Sequence, residues 1–483
     1  MAAMRLALLL VLCSAAAAAD GFDKVREFIR KGLVEQPVPS IAVAVAKDGK
    51  ILWEQGFGWA DRENRVPATE HTMYSLASIS KAITATGLMV LVERNQVDLE
   101  KPVHQYLGGA KLKVWIGNDA EVTVRRVANH SAGLPLHYQF FYADEPFPRP
   151  PMAESIRRYG VIVTPPGERY QYSNFGYGVL EEVIARVSGR AYEDFMRDEV
   201  FLPLGMNQTA VSLGPDKRHA LRYGADNEPL PFYDFDHRGA SAVYASAHNL
   251  VRFGMFHLKA HLADQKPILS DRAIAEMQEP TVKAGPGDAG YGIGWATRTA
   301  GKYRLVAHTG GMGGVTTVLN LVPAERLAVV VLCNARSNLA GRVANEIMFT
   351  LLPDLPRPPP ATPQPEPVFK PAPELRGEWT GAVHTWKSET PLTLRFQEDG
   401  DIHARLGRQL WTLLNMVSYR DGVLSASMSG DVGTDDANRQ LYRLDFTLKL
   451  RGGNILNGPV TALSLPGKRT RNALSYWTEV KKK

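Results

Sequence analysis

The stretch from Pro353 to Pro373 does most to limit what this chain can become. From residue 353 it reads Pro-Asp-Leu-Pro-Arg-Pro-Pro-Pro-Ala-Thr-Pro-Gln-Pro-Glu-Pro. Each proline removes a backbone donor and fixes φ, so such a run cannot enter the interior of a helix or a sheet. It predicts an extended linker over 353–374 that divides the chain into a large part, 20–352, and a smaller one, 375–483. With 483 residues, 45% of them hydrophobic and 22% charged, each part has enough apolar material for its own core. That composition excludes a disordered or fibrous chain.

The first residues carry a basic start at Arg5, an apolar run from Leu6 to Leu12 and alanines from Ala15 to Ala19. This predicts a secretory signal peptide over 1–19, cleaved near Ala19, and a secreted or periplasmic protein. The run falls short of the roughly 20 residues that span a bilayer, so no stable membrane insertion is expected. Without that segment Cys333 stands alone inside the apolar run Leu327–Leu332, a buried strand cysteine with no disulfide partner. The net charge of +6 is scattered apart from Lys481 to Lys483, read as a solvated tail, and no nucleic-acid groove is implied.

Before the linker, strands are expected at Ile41–Ala46 and Ile51–Gly56, joined through Asp48-Gly49. Helical spacing follows at Lys81–Arg94, Asn174–Ser188 closed by Gly189, and Ala247–Leu258. Strand patterns return at Tyr291–Ala296, Tyr303–His308, Thr316–Val322 and Leu327–Cys333, so one sheet built from both ends with helices between is predicted. After the linker, partial alternation at Leu392–Phe396, Ile402–Leu406, Leu424–Met428, Leu441–Leu450 and Val460–Leu465 predicts a small antiparallel β domain, barrel-like.

Three short patterns carry chemistry. Ser78-Ile-Ser-Lys81 sets a serine and a lysine one helical turn apart, where a partly desolvated amine can activate the hydroxyl. Tyr172-Ser-Asn174, after a Pro166-Gly167 turn and before a helix, offers a phenol and an amide two residues apart. A phenol beside a cationic lysine is expected to have a lowered pKa and to work as base and then as acid. His308-Thr309-Gly310-Gly311 ends a predicted strand with small residues, over which a substrate backbone can approach the sheet edge. Asp234, Asp236 and His237 are read as a polar loop and not as metal ligands, because no second ligand cluster accompanies them.

The order and spacing of the three patterns resemble the penicillin-recognising serine hydrolases: class C β-lactamases, D-alanyl-D-alanine carboxypeptidases, D-aminopeptidases and related esterases. The motifs of that family, Ser-x-x-Lys, Tyr-x-Asn and Lys- or His-Thr-Gly, match Ser78/Lys81, Tyr172/Asn174 and His308/Thr309/Gly310. Asn129 to Pro135 and Tyr291 to Trp295 extend the likeness over roughly 22–352. The resemblance implies an α+β fold, an antiparallel sheet flanked by helices with an all-helical subdomain holding Tyr172. It implies an oxyanion hole from the N–H groups of Ser78 and Gly311, and a lipocalin-like C-terminal barrel. Catalysis through an acyl-enzyme on a small-molecule or peptide substrate, with no metal or cofactor, is expected.

Histidine at 308, mostly neutral at pH 7, lacks the fixed charge that β-lactamases of the family place there. This favours a D-amino acid peptide or a small ester as substrate. A class C-like β-lactamase and a non-catalytic penicillin- or peptidoglycan-binding sensor are the alternatives. The sequence leaves open the oligomeric state and which of Lys81 and Tyr172 takes the first proton.

Overall fold

The segments Ile41–Ala46 and Leu327–Cys333 are apolar at every position, the pattern of strands covered on both faces. They pair antiparallel at the middle of a nine-stranded sheet in a computed structural model that describes residues 21–214, 219–357, 369 and 372–483. Its main strands are β1 (Ser40–Lys47), β2 (Lys50–Asp61), β3 (Ala296–Ala300), β4 (Tyr303–Met312), β5 (Val315–Val322) and β6 (Leu327–Cys333). Their spatial order is β3-β4-β5-β6-β1-β2, with two short strands beyond β3 and one beyond β2. The sheet is therefore assembled from both ends of its sequence, as expected.

Successive residues of β1 point to opposite faces. Ile41, Val43 and Val45 pack with Leu339, Val343 and Ile347 from α5 (Leu339–Leu351) and with Val25 and Ile29 from α1 (Asp23–Glu35). Ala42, Ala44 and Ala46 face the other core, which holds α2 (Ser80–Glu93), α3 (Asn174–Ser188) and α4 (Ala247–His257). Small side chains on that face let α4 approach closely: a Cβ on Gly254 would lie 3.1 Å from the Cβ of Ala328. Cys333 is buried in β6, and burial pushes its thiol pKa up.

Two expectations for this part of the chain are corrected. The strand predicted over Tyr291–Ala296 is broken into Gly290–Tyr291 and Ala296–Ala300. Between them Gly294 turns at φ +80°, where a side chain would strike the Cβ of Ala85 in α2 at 2.7 Å. The segment around Tyr172 is not all helical. It includes the parallel pair Lys113–Val114 and Val161–Ile162, and the antiparallel pair Phe140–Tyr142 and Tyr233–Phe235.

A second nine-stranded sheet, antiparallel throughout, begins at Gly377. Its strands are β7 (Gly377–His384), β8 (Glu389–Phe396), β9 (Ile402–Leu406), β10 (Thr412–Leu413), β11 (Asn415–Arg420), β12 (Val423–Met428), β13 (Tyr442–Arg451), β14 (Ile455–Ser464) and β15 (Ala473–Lys482). The order β10-β9-β8-β7-β15-β14-β13-β12-β11 brings consecutive strands to the two edges, so the sheet is a nearly closed barrel. Leu392, Leu394 and Phe396 alternate inward, as do Leu444, Phe446 and Leu448. Lys481 and Lys483 are exposed, as expected, but Lys481 and Lys482 are not a tail: both lie in β15, where strand pairing continues to the end of the segment.

The two sheets are joined by specific contacts. Tyr138 and Ala473 exchange two backbone hydrogen bonds of 3.0 and 2.8 Å, and Asn472 accepts from the backbone N–H of Phe140 at 2.9 Å. Arg451 donates to Glu168, and Trp115 stacks on Trp477. Residues 1–20, where the signal peptide is predicted, and most of the proline-rich linker (358–368 and 370–371) lie outside the described residues.

Candidate active site

Ser78 sits in a single tight turn, Ala77–Ile79, that feeds directly into α2. Ala77 carries φ +48°, a left-handed conformation that costs a non-glycine residue about 1 kcal/mol or more and is tolerated where the surroundings hold it. Lys81, one turn on, is fully buried in a helix that is apolar nearly all round. Its Nζ lies 3.1 Å from Ser78 Oγ, 2.8 Å from Asn174 Oδ1 and 3.0 Å from the carbonyl of Ala240. Among the described residues no carboxylate pairs with it, and desolvation holds its pKa well below the usual lysine value. In its neutral form the amine has two N–H groups and one lone pair. Asn174 Oδ1 and Ala240 O only accept, so they take the two N–H groups and leave the lone pair facing the Ser78 hydroxyl.

Tyr172 and Asn174 are placed by the entry to α3. Ser173 caps that helix by accepting from Gly176 N–H, and its own N–H donates to His130 Nδ1 at 3.1 Å. This fixes the two residues that flank Ser173. Tyr172 lines the cleft together with Ser78, and its ring centroid lies 4.9 Å from Lys81 Nζ. The expected lowering of the phenol pKa is not found. Desolvation by burial pushes it up, and the interaction with Ser78 offsets this only in part.

His308, Thr309, Gly310 and Gly311 lie on β4 beyond the point where β3 stops pairing with it. Gly310 packs so tightly on the Ser78 turn that a Cβ would come within 2.2 Å of the Leu76 carbonyl oxygen. Thr309 and Gly311 are exposed to the cleft. His308 is buried; its Nδ1 donates to the Thr309 carbonyl at 2.8 Å and its Nε2 accepts from the Tyr291 hydroxyl at 2.9 Å. Burial lowers its pKa to about 3, so it brings no charge to the site.

The structure thus gathers Ser78, Lys81, Tyr172, Asn174 and the strand 308–311 around one cleft. Sequence reasoning gave no role to His130, whose ring is 4.5 Å from that of Tyr172 and 4.7 Å from that of Tyr291. It holds both the capping Ser173 and the aromatic wall behind Tyr172, and its position inside the quoted Asn129–Pro135 segment was the available signal. Asp236 and His237 are not part of an open loop. Asp236 is fully buried between His137 Nε2 at 2.6 Å and His237 Nδ1 at 2.5 Å, and those partners hold its pKa low against the desolvation that raises it. Among the described residues the grouping with metal-ligand spacing is Glu54, Glu70 and His71, none of which lines the cleft.

The cleft consists of two adjoining cavities of about 560 and 870 Å³, both lined by Ser78, Tyr172, Gly311 and Arg336. Residues 25–349 match the family model described as Beta-lactamase. This chain belongs to the Beta-lactamase family. Penicillin-binding protein 4* of Bacillus subtilis (strain 168) is 28% identical over 324 residues, 60% of this chain and 67% of that protein. The solved octameric penicillin-binding protein homologue from Pyrococcus abyssi superposes with a TM-score of 0.61 at 23% identity. The likeness covers 93% of this chain and 99% of that one, and so takes in both sheets. The D-amino acid amidase from Ochrobactrum anthropi SV3 has the same fold, with a TM-score of 0.56 at 23% identity over 69% of this chain and 97% of its own. As a member of the Beta-lactamase family the chain is a serine hydrolase.

Proposed function

We propose that this β-lactamase-family protein is exported and hydrolyses an amide or ester through an acyl-enzyme on Ser78, with a D-amino acid peptide or a small ester as substrate. The observation that carries the reading is the buried, uncompensated Lys81 amine, with carbonyl acceptors on two sides and the Ser78 hydroxyl on the third. Lys81 takes the hydroxyl proton as Ser78 Oγ bonds to the substrate carbonyl carbon, and the oxyanion forms between the N–H groups of Ser78 and Gly311. Collapse breaks the bond to the leaving group. Tyr172, whose raised pKa keeps it protonated, hands that group a proton and is resupplied from Lys81. Water then attacks the acyl-enzyme with Lys81 again as base. Asn174 and Thr309 hold the substrate amide, and His308 orders the end of the strand.

The buried, neutral His308 sets the site apart from β-lactamases at that one position: it offers no cation of its own to a β-lactam carboxylate. We further assign 1–19 as the export signal, 353–374 as linker and 375–483 as a lipocalin-like domain. The second sheet's near closure and inward alternation support that last assignment.

A panel of p-nitrophenyl esters, D-amino acid amides, D-alanyl-D-alanine peptides and a chromogenic cephalosporin tests the reading. One substrate class should be cleaved by the purified chain and not by Ser78→Ala. Turnover that persists in Ser78→Ala, or a cephalosporin cleaved far faster than every ester and amide, overturns it.

A further inference from the structure

The smaller cavity of the cleft is not enclosed by the first sheet and its helices alone. Its far wall is the loop between β14 and β15 of the second sheet, from Pro466 to Arg471. The loop is pinned in place. Arg469 donates to Glu145 at 2.5 Å and to Asp144 at 2.8 Å, the backbone N–H of Thr470 donates to the Tyr142 hydroxyl at 2.6 Å, and the Tyr138–Ala473 bridge follows at once. Gly313, at the turn between β4 and β5, has no room for a side chain because Thr470 Oγ1 lies 1.8 Å from where its Cβ would be.

Charge is distributed unevenly over this wall. Arg469 is neutralised by its two carboxylates, and Asp445, near Tyr138, is paired with Arg443. Lys468 and Arg471 from the loop, and Arg336 from the end of β6, also line the cavity, and among the described residues none of the three has a carboxylate partner. Among the described residues no Asp or Glu lines the cavity. Arg336 reaches over the oxyanion strand: its guanidinium lies 2.8 Å from where a Cβ on Gly311 would stand. Three uncompensated cations around a concave, partly apolar space adjoining the nucleophile attract an anion and repel an ammonium group.

We propose that Arg336, Lys468 and Arg471 form an anion subsite, so that the preferred substrate carries a carboxylate close to its scissile amide or ester, with the second sheet supplying two of the three cations. The proposal rests on the Ser78 reading only for where the scissile bond lies. The subsite performs the recognition that a neutral His308 cannot.

The test uses the full chain carrying Ser78→Ala, so that binding is measured without turnover. Calorimetry compares mono-4-nitrophenyl glutarate, which bears a carboxylate, with 4-nitrophenyl valerate, which is neutral. We expect the anionic ester to bind at least tenfold more tightly, and the difference to fall about twofold to threefold for each cation removed in Lys468→Ala and Arg471→Ala. Both side chains are exposed, so the fold should survive; Arg336→Gln, in the other part of the molecule, gives an independent variant. Lys468→Arg should keep the preference, and raised salt should weaken it. Equal binding of the two esters, or a preference that survives all three substitutions, overturns the subsite. Hydrolysis of either ester by Ser78→Ala overturns the nucleophile assignment instead and leaves the binding comparison intact.

Discussion

The floor and the rim of the cleft treat charge in opposite ways. On the floor, Lys81, His130 and His308 are buried among aromatic rings and carbonyls, and desolvation drives all three toward their neutral forms. On the rim, Arg336, Lys468 and Arg471 are exposed to solvent, with no carboxylate partner among the described residues. A base that must accept a proton benefits from losing its charge, whereas a group that selects a ligand at a distance needs to retain it. One cleft does both because a single helical turn and the strand beside it exclude water from the amine, while a loop from the second sheet leaves water around its cations.

The sharpest way to break this contrast is at the floor. Ser78→Ala and Lys81→Met should each lower kcat by about 10⁴-fold or more, since nucleophile and base act as a unit. A Lys81→Met enzyme within tenfold of the parent would show that the amine is structural. Next in size, Tyr172→Phe removes the proton donor and should cost about 10²- to 10⁴-fold in kcat on a poor leaving group. The loss should shrink markedly with p-nitrophenolate, which leaves without a proton; equal losses on both would remove the acid role.

Gly310→Ala should reduce kcat/KM by about 10²-fold, because the strand must retreat from the Leu76 carbonyl and the oxyanion donors move with it. Thermal unfolding measured alongside separates this displacement from simple loss of fold. The smallest effect is thermodynamic. His257 and His308 have folded pKa values near 3, against roughly 6.5 unfolded, so the unfolded chain binds more protons between these values. Their contribution is therefore complete above about pH 6.5 and is lost as the pH falls toward 3, by about 1.4 kcal/mol per pH unit for each residue. Tm should decline through this window, and His257→Gln should flatten the decline. A Tm independent of pH between 6.5 and 4 would contradict the buried, neutral histidines.

The floor could be read from sequence because each of its parts is local. Ser78 and Lys81 share one helical turn, Tyr172 and Asn174 flank one cap, and the helix Asn174–Ser188 shows both its apolar spacing and its Gly189 stop. Strands covered on both faces, such as Leu327–Cys333, were legible for the same reason. The rim was not. Arg336 and the loop 466–471 meet only because Tyr138 pairs with Ala473, and no spacing within the chain encodes that contact. Strands Gly377–His384 and Ala473–Lys482 also escaped prediction, since their alternation is blurred by Gly381 in one and by Ser475 and Thr478, buried polar residues, in the other. The direction of the Tyr172 shift was missed because it is set by desolvation of the phenol, which only the folded surroundings decide.

The pairing of β1 with β6 joins segments far apart along the chain: Ser40 N–H donates to Asn334 at a separation of 294 residues. Closing so long a loop spends chain entropy before any contact returns it, which slows folding and leaves partly formed sheet edges exposed for longer. After dilution from denaturant, helical signal should therefore recover well before hydrolytic activity, and the interval between them would time the arrival of the central strand.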